Sequence, residues 1–203
     1  SGGMRLDYGI LSRADLCSVT DQEDKKRCGE VLYNVSKVIH PSQAGNWSTV
    51  RSCDSEDAIV YSLINSMPGR MHLSGDVQNF SPAQLTLVKE AVSLYKSYRH
   101  LLKEGVLLHH TPDTLYGFPQ GVKIMELAAQ DGSLFVIAAI GLQGCAGSHT
   151  VIPRYADPRR SYRVRVLSRQ GCKAAAGIDV TAGYSFTLAK EYESHLAVFY
   201  AES

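Results

Sequence analysis

The sequence predicts an α/β region followed by an all-β region, the second an antiparallel β-sandwich. Three observations predict this class. Up to about residue 105, capped apolar stripes at helical spacing alternate with short strand-like runs. Beyond it helical periodicity is absent and SYRVRVLS alternates apolar with basic residues, and an Asp131-Gly132 pair separates two apolar runs in the manner of a hairpin.

The elements follow in chain order. Thr20-Asp-Gln-Glu23 has capping-box spacing, so a helix is expected from there to Tyr33 with Lys25, Lys26 and Arg27 on its surface. Asp21 then lies at a strand-to-helix junction. DSEDAIVYSLINSM (54–67) starts with acidic capping residues and carries Ile59, Leu63 and Met67 at helical spacing; Pro68-Gly69 stops it, and RMHLSG reads as a short strand. In SPAQLTLVKEAVSLYKSYRHLL (81–102), Ser81 is a natural N-cap and Pro82 suits the first helical position. Leu85, Val88, Val92, Tyr95 and Leu102 form its expected apolar stripe. GVKIMELAAQDGSLFVIAAIGL (121–142) is the hairpin, and SYRVRVLS, YSFTLA and HLAVFYA read as further strands.

Bulk properties bound the function. With 203 residues and 44% hydrophobic content, the chain has enough apolar surface for one large or two small domains. Lys+Arg of 21 against Asp+Glu of 20 leaves a charge of +1, which points to neither nucleic acid nor an anionic membrane. The longest apolar run, 133–142, is shorter than the about 20 residues of a spanning helix, so a soluble protein is expected. Residues 1–12 lack the features of a secretory signal. The cysteines at 17, 28, 53, 145 and 172 form no CxxC pair and are expected to be buried thiols. Asn34 and Asn46 fit the common glycosylation tripeptide, which leaves the compartment open.

Two motifs carry candidate chemistry. Gly2 and Gly3, followed by Arg5 and Asp7, would let the backbone approach a ligand while an Arg–Asp pair braces the loop; a tight turn with a surface ion pair fits equally. Asp21 is a carboxylate before a helix, which as a residue type is also a cap.

Taken together, SGGMRLDYGILSR and the following SVTDQED resemble the α-galactosidases of glycoside hydrolase family 36. That family carries a Gly-rich run, then R-x-D-x-G/A-x-L, and further on a Ser-Asp-x-x-Asp element. The resemblance runs on through INSMPGRMHLSGDVQNFSPAQLTLVKEAVSLYKSYRHLL and, more weakly, the β-rich tail. It implies that residues 1–108 are the C-terminal part of a (β/α)8 TIM barrel and residues 109–203 a C-terminal antiparallel β-sandwich. It implies Asp21 as the catalytic acid/base, Gly2 and Gly3 as the loop meeting the galactose ring, and Arg5 and Asp7 as its bracing residues. Thr20 stands where the family has Ser, and Cys17 and Ser18 occupy a region where it often has an aromatic; these departures bear on substrate preference.

A retaining glycosidase needs two carboxylates about 5–5.5 Å apart. In the family the nucleophile sits in a Lys-x-Asp element on an earlier strand, and none is found in this sequence ahead of the glycine run. The chain is therefore expected to be the C-terminal piece of a longer enzyme, inactive and aggregation-prone alone. The implied substrate is an α-galactoside oligosaccharide, with no metal or organic cofactor, no nucleic acid and no membrane, and with a homo-oligomer of the full-length enzyme left open. Asp15, Glu23 and Asp24 are expected to be solvated or capping residues. Trp47, in a loop-like GNWS stretch, is a packing residue or a site rim. His109-His110 fits no metal motif. The basic run from Arg154 to Lys173 is a wet strand face or, in a competing reading, a polyanion surface. Two further readings are a hydrolase or transglycosidase for another α-linked sugar, and a non-catalytic carbohydrate-binding or structural fragment.

Overall fold

The structure is a computed structural model that describes residues 6–112 and 120–202. Its helices are α1 (Tyr8–Leu11), α2 (Lys25–Val35), α3 (Glu56–Ser66), α4 (Pro82–Tyr98) and α5 (Leu101–Glu104). Among them run β1 (Cys17–Ser18), β2 (Ala44–Val50) and β3 (Arg70–Gly75), which pair in parallel in the order β1-β2-β3. The strands that follow are β4 (Val106–His109), β5 (Val122–Ala128), β6 (Leu134–Gly141), β7 (Gly147–Val151), β8 (Tyr162–Ser168), β9 (Gly171–Ile178), β10 (Tyr184–Leu188) and β11 (Ser194–Ala201). They form an antiparallel six-stranded sheet, β4-β5-β6-β11-β8-β9, and an antiparallel pair, β10-β7. The expected mixed region and the antiparallel region are both present. β4, which straddles the expected boundary at 108/109, pairs with β5.

The apolar run in β6 is continuous because both of its faces are buried. Leu134, Val136 and Ala138 point toward α3 and α4, whereas Phe135, Ile137 and Ala139 point toward the β7/β10 pair. β11 repeats this, with Leu196 and Val198 on the helical side and Ala197 and Phe199 on the other. A strand covered on one side alternates with polar residues; one covered on both sides does not. The helices are thus sandwiched between the parallel sheet and the six-stranded sheet, and one core runs through both regions.

Three local expectations are corrected. α2 begins at Lys25, with Asp24 as N-cap accepting from the Lys26 amide, because the Thr20 hydroxyl is already turned onto the Gln22 amide. The buried face of α4 is Gln84, Leu87, Val88, Ala91, Leu94 and Tyr98, rotated from the expected stripe: Leu85, Val92 and Tyr95 are half-buried. The cause is Gln84, whose side chain completes the capping box with Ser81 and donates to the carbonyls of Ser52 and Asp54, drawing a polar residue inward. GNWS is not a loop but the centre of β2.

Candidate functional site: the loops at the C-terminal ends of the parallel strands

In parallel α/β units, ligands meet the loops beyond the C-terminal strand ends. Here those loops are residues 19–24 after β1, 51–55 after β2 and Asp76 onward after β3. They are tied together. Arg51 reaches from the second loop to Glu23 of the first at 2.7 Å, and Lys25 spans both oxygens of Asp54 at 3.0 and 2.9 Å. The Ser52 amide and hydroxyl donate to Asp76 at 2.7 and 2.6 Å, which holds that carboxyl below the usual range. Gly75 has φ +124, and a Cβ there would lie 1.6 Å from the Val50 carbonyl oxygen, so only glycine closes the β2–β3 ends this way.

The loop carrying Asp21 is fixed by its neighbours. Gln22 donates its amide to Thr20 Oγ1 at 3.0 Å and accepts the Asp24 amide on its side-chain oxygen at 2.9 Å. Its carbonyl accepts the Cys28 thiol at 2.8 Å, a thiol whose pKa burial, then Asp24, push up to about 11. With every adjacent group engaged, Asp21 is exposed, and among the described residues its side chain has no hydrogen-bond or ion-pair partner. Asp54 and Asp76 are bound up in structural contacts, whereas Asp21 has none among the described residues.

Of the other expected site residues, Gly2, Gly3 and Arg5 lie outside the described residues. Asp7 caps α1, its Oδ1 accepting from the Ile10 amide at 2.9 Å. Asp24 is a cap and Glu23 an ion-pair partner, as expected of residues beside a helix start.

The helices cover one face of the parallel sheet through Asn46, Ser48 and Val50, which bond or pack toward α3. The opposite face carries Trp47, whose Nε1 donates to Ser18 Oγ at 2.8 Å and whose ring lies 5.0 Å from that of His72. Trp47 remains 37% exposed. This aromatic face, invisible while GNWS is read as a loop, is the feature sequence reasoning missed.

The other residues singled out in the sequence take the following places. His109 bonds to Ser36 and His110 to the buried Glu126, so both are structural. The basic run is partly neutralised, since Asp157 pairs with Arg159 and Arg160. Asn46 is buried and cannot accept a glycan in the fold. Cys17, Cys28 and Cys145 are buried, but Cys53 is exposed in the β2–α3 loop and Cys172 half-buried, correcting the expectation for those two. Among the described residues no group of three or more His, Cys, Asp or Glu side chains is placed to hold a metal ion, and no helix is long and apolar enough to cross a membrane.

No protein-family model matches the sequence, and no curated protein is detectably similar to it. Solved structures do match in fold. The α-galactosidase from Lactobacillus brevis superimposes with a TM-score of 0.68 at 18% identity, over 91% of this chain and 26% of that one. A family 36 α-galactosidase from Geobacillus stearothermophilus gives 0.67 at 17% identity, over 90% and 25%. A family 27 β-L-arabinopyranosidase from the same organism gives 0.59 at 10%, over 96% and 47%. The fold is that of a part of these glycoside hydrolases, and the chain spans about a quarter of the length of the family 36 structures.

Proposed function

We propose that this chain is the acid/base-bearing C-terminal part of a retaining α-galactosidase-type glycoside hydrolase. Residues 1–108 supply the last strands of its (β/α)8 barrel and 109–203 its β-sandwich. The observation that carries the reading is the position of Asp21: a free carboxyl on a pinned loop just beyond the C-terminal end of a parallel strand, in a fold shared with α-galactosidases. The uncovered sheet face with Trp47 and His72 supports it as well, since parallel sheets are buried on both faces and the remaining barrel would close over this one.

In that mechanism Asp21 hands a proton to the departing glycosidic oxygen, then takes one from water as the glycosyl-enzyme is released. The nucleophile comes from polypeptide outside this chain, about 5–5.5 Å from Asp21. Gly2 and Gly3 meet the sugar, with Arg5 and Asp7 bracing their loop. The substrate is an oligosaccharide ending in an α-galactosyl residue. The finer specificity depends on residues the chain does not contain, so another α-linked sugar is the nearest alternative.

The test is hydrolysis of a nitrophenyl α-galactoside by the full-length protein and its Asp21→Asn variant. Because nitrophenolate leaves with little protonation, loss of the acid/base shows in the attack of water on the glycosyl-enzyme and lowers kcat by about 10²–10⁴-fold. Unchanged turnover removes Asp21 from the mechanism, and absence of activity in the parent on α-galactosides but not on other α-linked sugars moves the substrate.

A further inference from the structure

A cavity of about 220 Å³ lies between α3, the β8–β9 turn, β10 and the start of β11. None of the residues assigned to the strand-end site lines it. We propose that it is a binding pocket for a single neutral monosaccharide ring.

The size, charge and lining each point to that class. Drug-sized ligands occupy about 300–1,000 Å³; this cavity is smaller and takes one ring rather than a chain. Its charges cancel. Asp57 is shared by Lys190 and, at 3.9 Å, by Arg169, and Glu193 adds a second carboxylate that accepts the Ala189 amide, so two cations stand against two carboxylates with no net charge. What remains is a mixed set of donors and acceptors drawn from four separate segments, Asp57, Arg169 and Gln170, Thr187, and Glu193. A ligand whose every edge is both donor and acceptor, a polyhydroxylated ring, satisfies such a set.

The remaining wall is backed by the buried apolar side chains of Val60, Leu167 and Leu188. The floor is rigid. His195 is held by its Nε2 bond to the Tyr184 hydroxyl at 2.9 Å and by stacking on Phe186, the rings 4.6 Å apart and 6° from parallel. A preformed floor lowers the ordering cost of binding a small ligand.

Ligand-observed NMR on the longest soluble form of the protein containing these residues tests the proposal, with D-galactose, D-glucose, the trisaccharide raffinose and inorganic phosphate as probes. Saturation transfer to a monosaccharide at millimolar concentration is expected, as is its retention in Asp21→Asn. In Thr187→Trp, which fills the cavity from an exposed strand position, and in Arg169→Ala, on an exposed turn, affinity should fall about tenfold or more. Raffinose binding as well as the free sugars identifies the terminal ring of a glycan as the source; free sugars alone identify a soluble monosaccharide. No transfer from any sugar overturns the proposal, as does equal binding in both pocket variants with native thermal midpoints, or displacement of sugar by phosphate. Loss of binding in Asp21→Asn with retention in the pocket variants also overturns it, by placing the sugar at the strand-end loops; the assignment of Asp21 would survive that result.

Discussion

Replacing Glu126 tests how the β-rich region is fastened. Its side chain is fully buried, and its carboxyl accepts four contacts from three donors: His110 Nε2 at 2.7 Å, the Arg154 amide at 2.9 and 3.1 Å, and the Tyr155 amide at 3.0 Å. It thus straps the chain on both sides of the sheet, the segment after β4 and the segment after β7, onto β5. Glu126→Leu keeps the volume and removes the acceptor, leaving three donors without a partner at about 1–3 kcal/mol each. Partial access of water to the Arg154 side brings the expected loss to about 3–5 kcal/mol. Glu126→Gln retains one acceptor oxygen but turns an NH2 toward a donor, and should cost about 1–2 kcal/mol. In urea, with m about 2–3 kcal/mol/M, the Leu variant's midpoint falls by roughly 1–2 M. His110→Ala combined with Glu126→Leu should cost less than the two singles added, because they share one contact. A loss under about 1 kcal/mol for Glu126→Leu, or strict additivity in the double variant, refutes the strap.

Three other outcomes follow. His109 and His195 have pKa values lowered from 6.5 to about 4, chiefly by burial, so the unfolded chain binds protons that the folded chain refuses. Stability is complete above about pH 6.5 and falls toward pH 4, by up to about 1.4 kcal/mol per pH unit for each histidine; urea titrations of His195→Phe should show a shallower fall in that window, and an identical profile contradicts the assignment. In native protein at pH 8, iodoacetamide should modify Cys53 well before Cys17, Cys28 and Cys145, which mass spectrometry of digests resolves; early loss of Cys28 contradicts its burial and its raised pKa. Gly75→Ala must part the Val50 and Gly75 strand ends, since its Cβ falls 1.6 Å from the Val50 oxygen, and should cost at least about 2 kcal/mol by urea unfolding, with a near-neutral change excluding the described closure.

The legible parts of the sequence were those with local causes. Ser81 and Pro82 start α4 because a hydroxyl acceptor and a preset φ satisfy a helix's first turn whatever lies around it. Asp131-Gly132 makes the β5–β6 turn because Gly132 adopts φ 69 and Asp131 accepts the Ser133 amide, both effects within three residues. The start of α2 is not fixed locally because Thr20 and Asp24 offer two caps, and the Asp24 carboxylate serves because the Thr20 hydroxyl already accepts the Gln22 amide. β2 was missed because its inward residues are Asn46 and Ser48, polar groups bonded to Ser66 and Ser62 of α3; a strand so lined has no apolar alternation to read.

The candidate site divides in the same way. The identity of Asp21 and its place before a helix stand in the sequence, as do the capping roles of the carboxyls beside it. That Asp54 and Asp76 are consumed by Lys25 and Ser52 while Asp21 is not is decided by residues 29 and 24 apart in the chain that meet at the strand ends. The start of α4 and the Asp131-Gly132 turn are fixed by short-range sterics and hydrogen bonding, which a sequence carries in full. Which face of α4 turns inward, which charges cancel, and that the Trp47 face lies bare follow from contacts between distant segments, where packing and desolvation outweigh local preference.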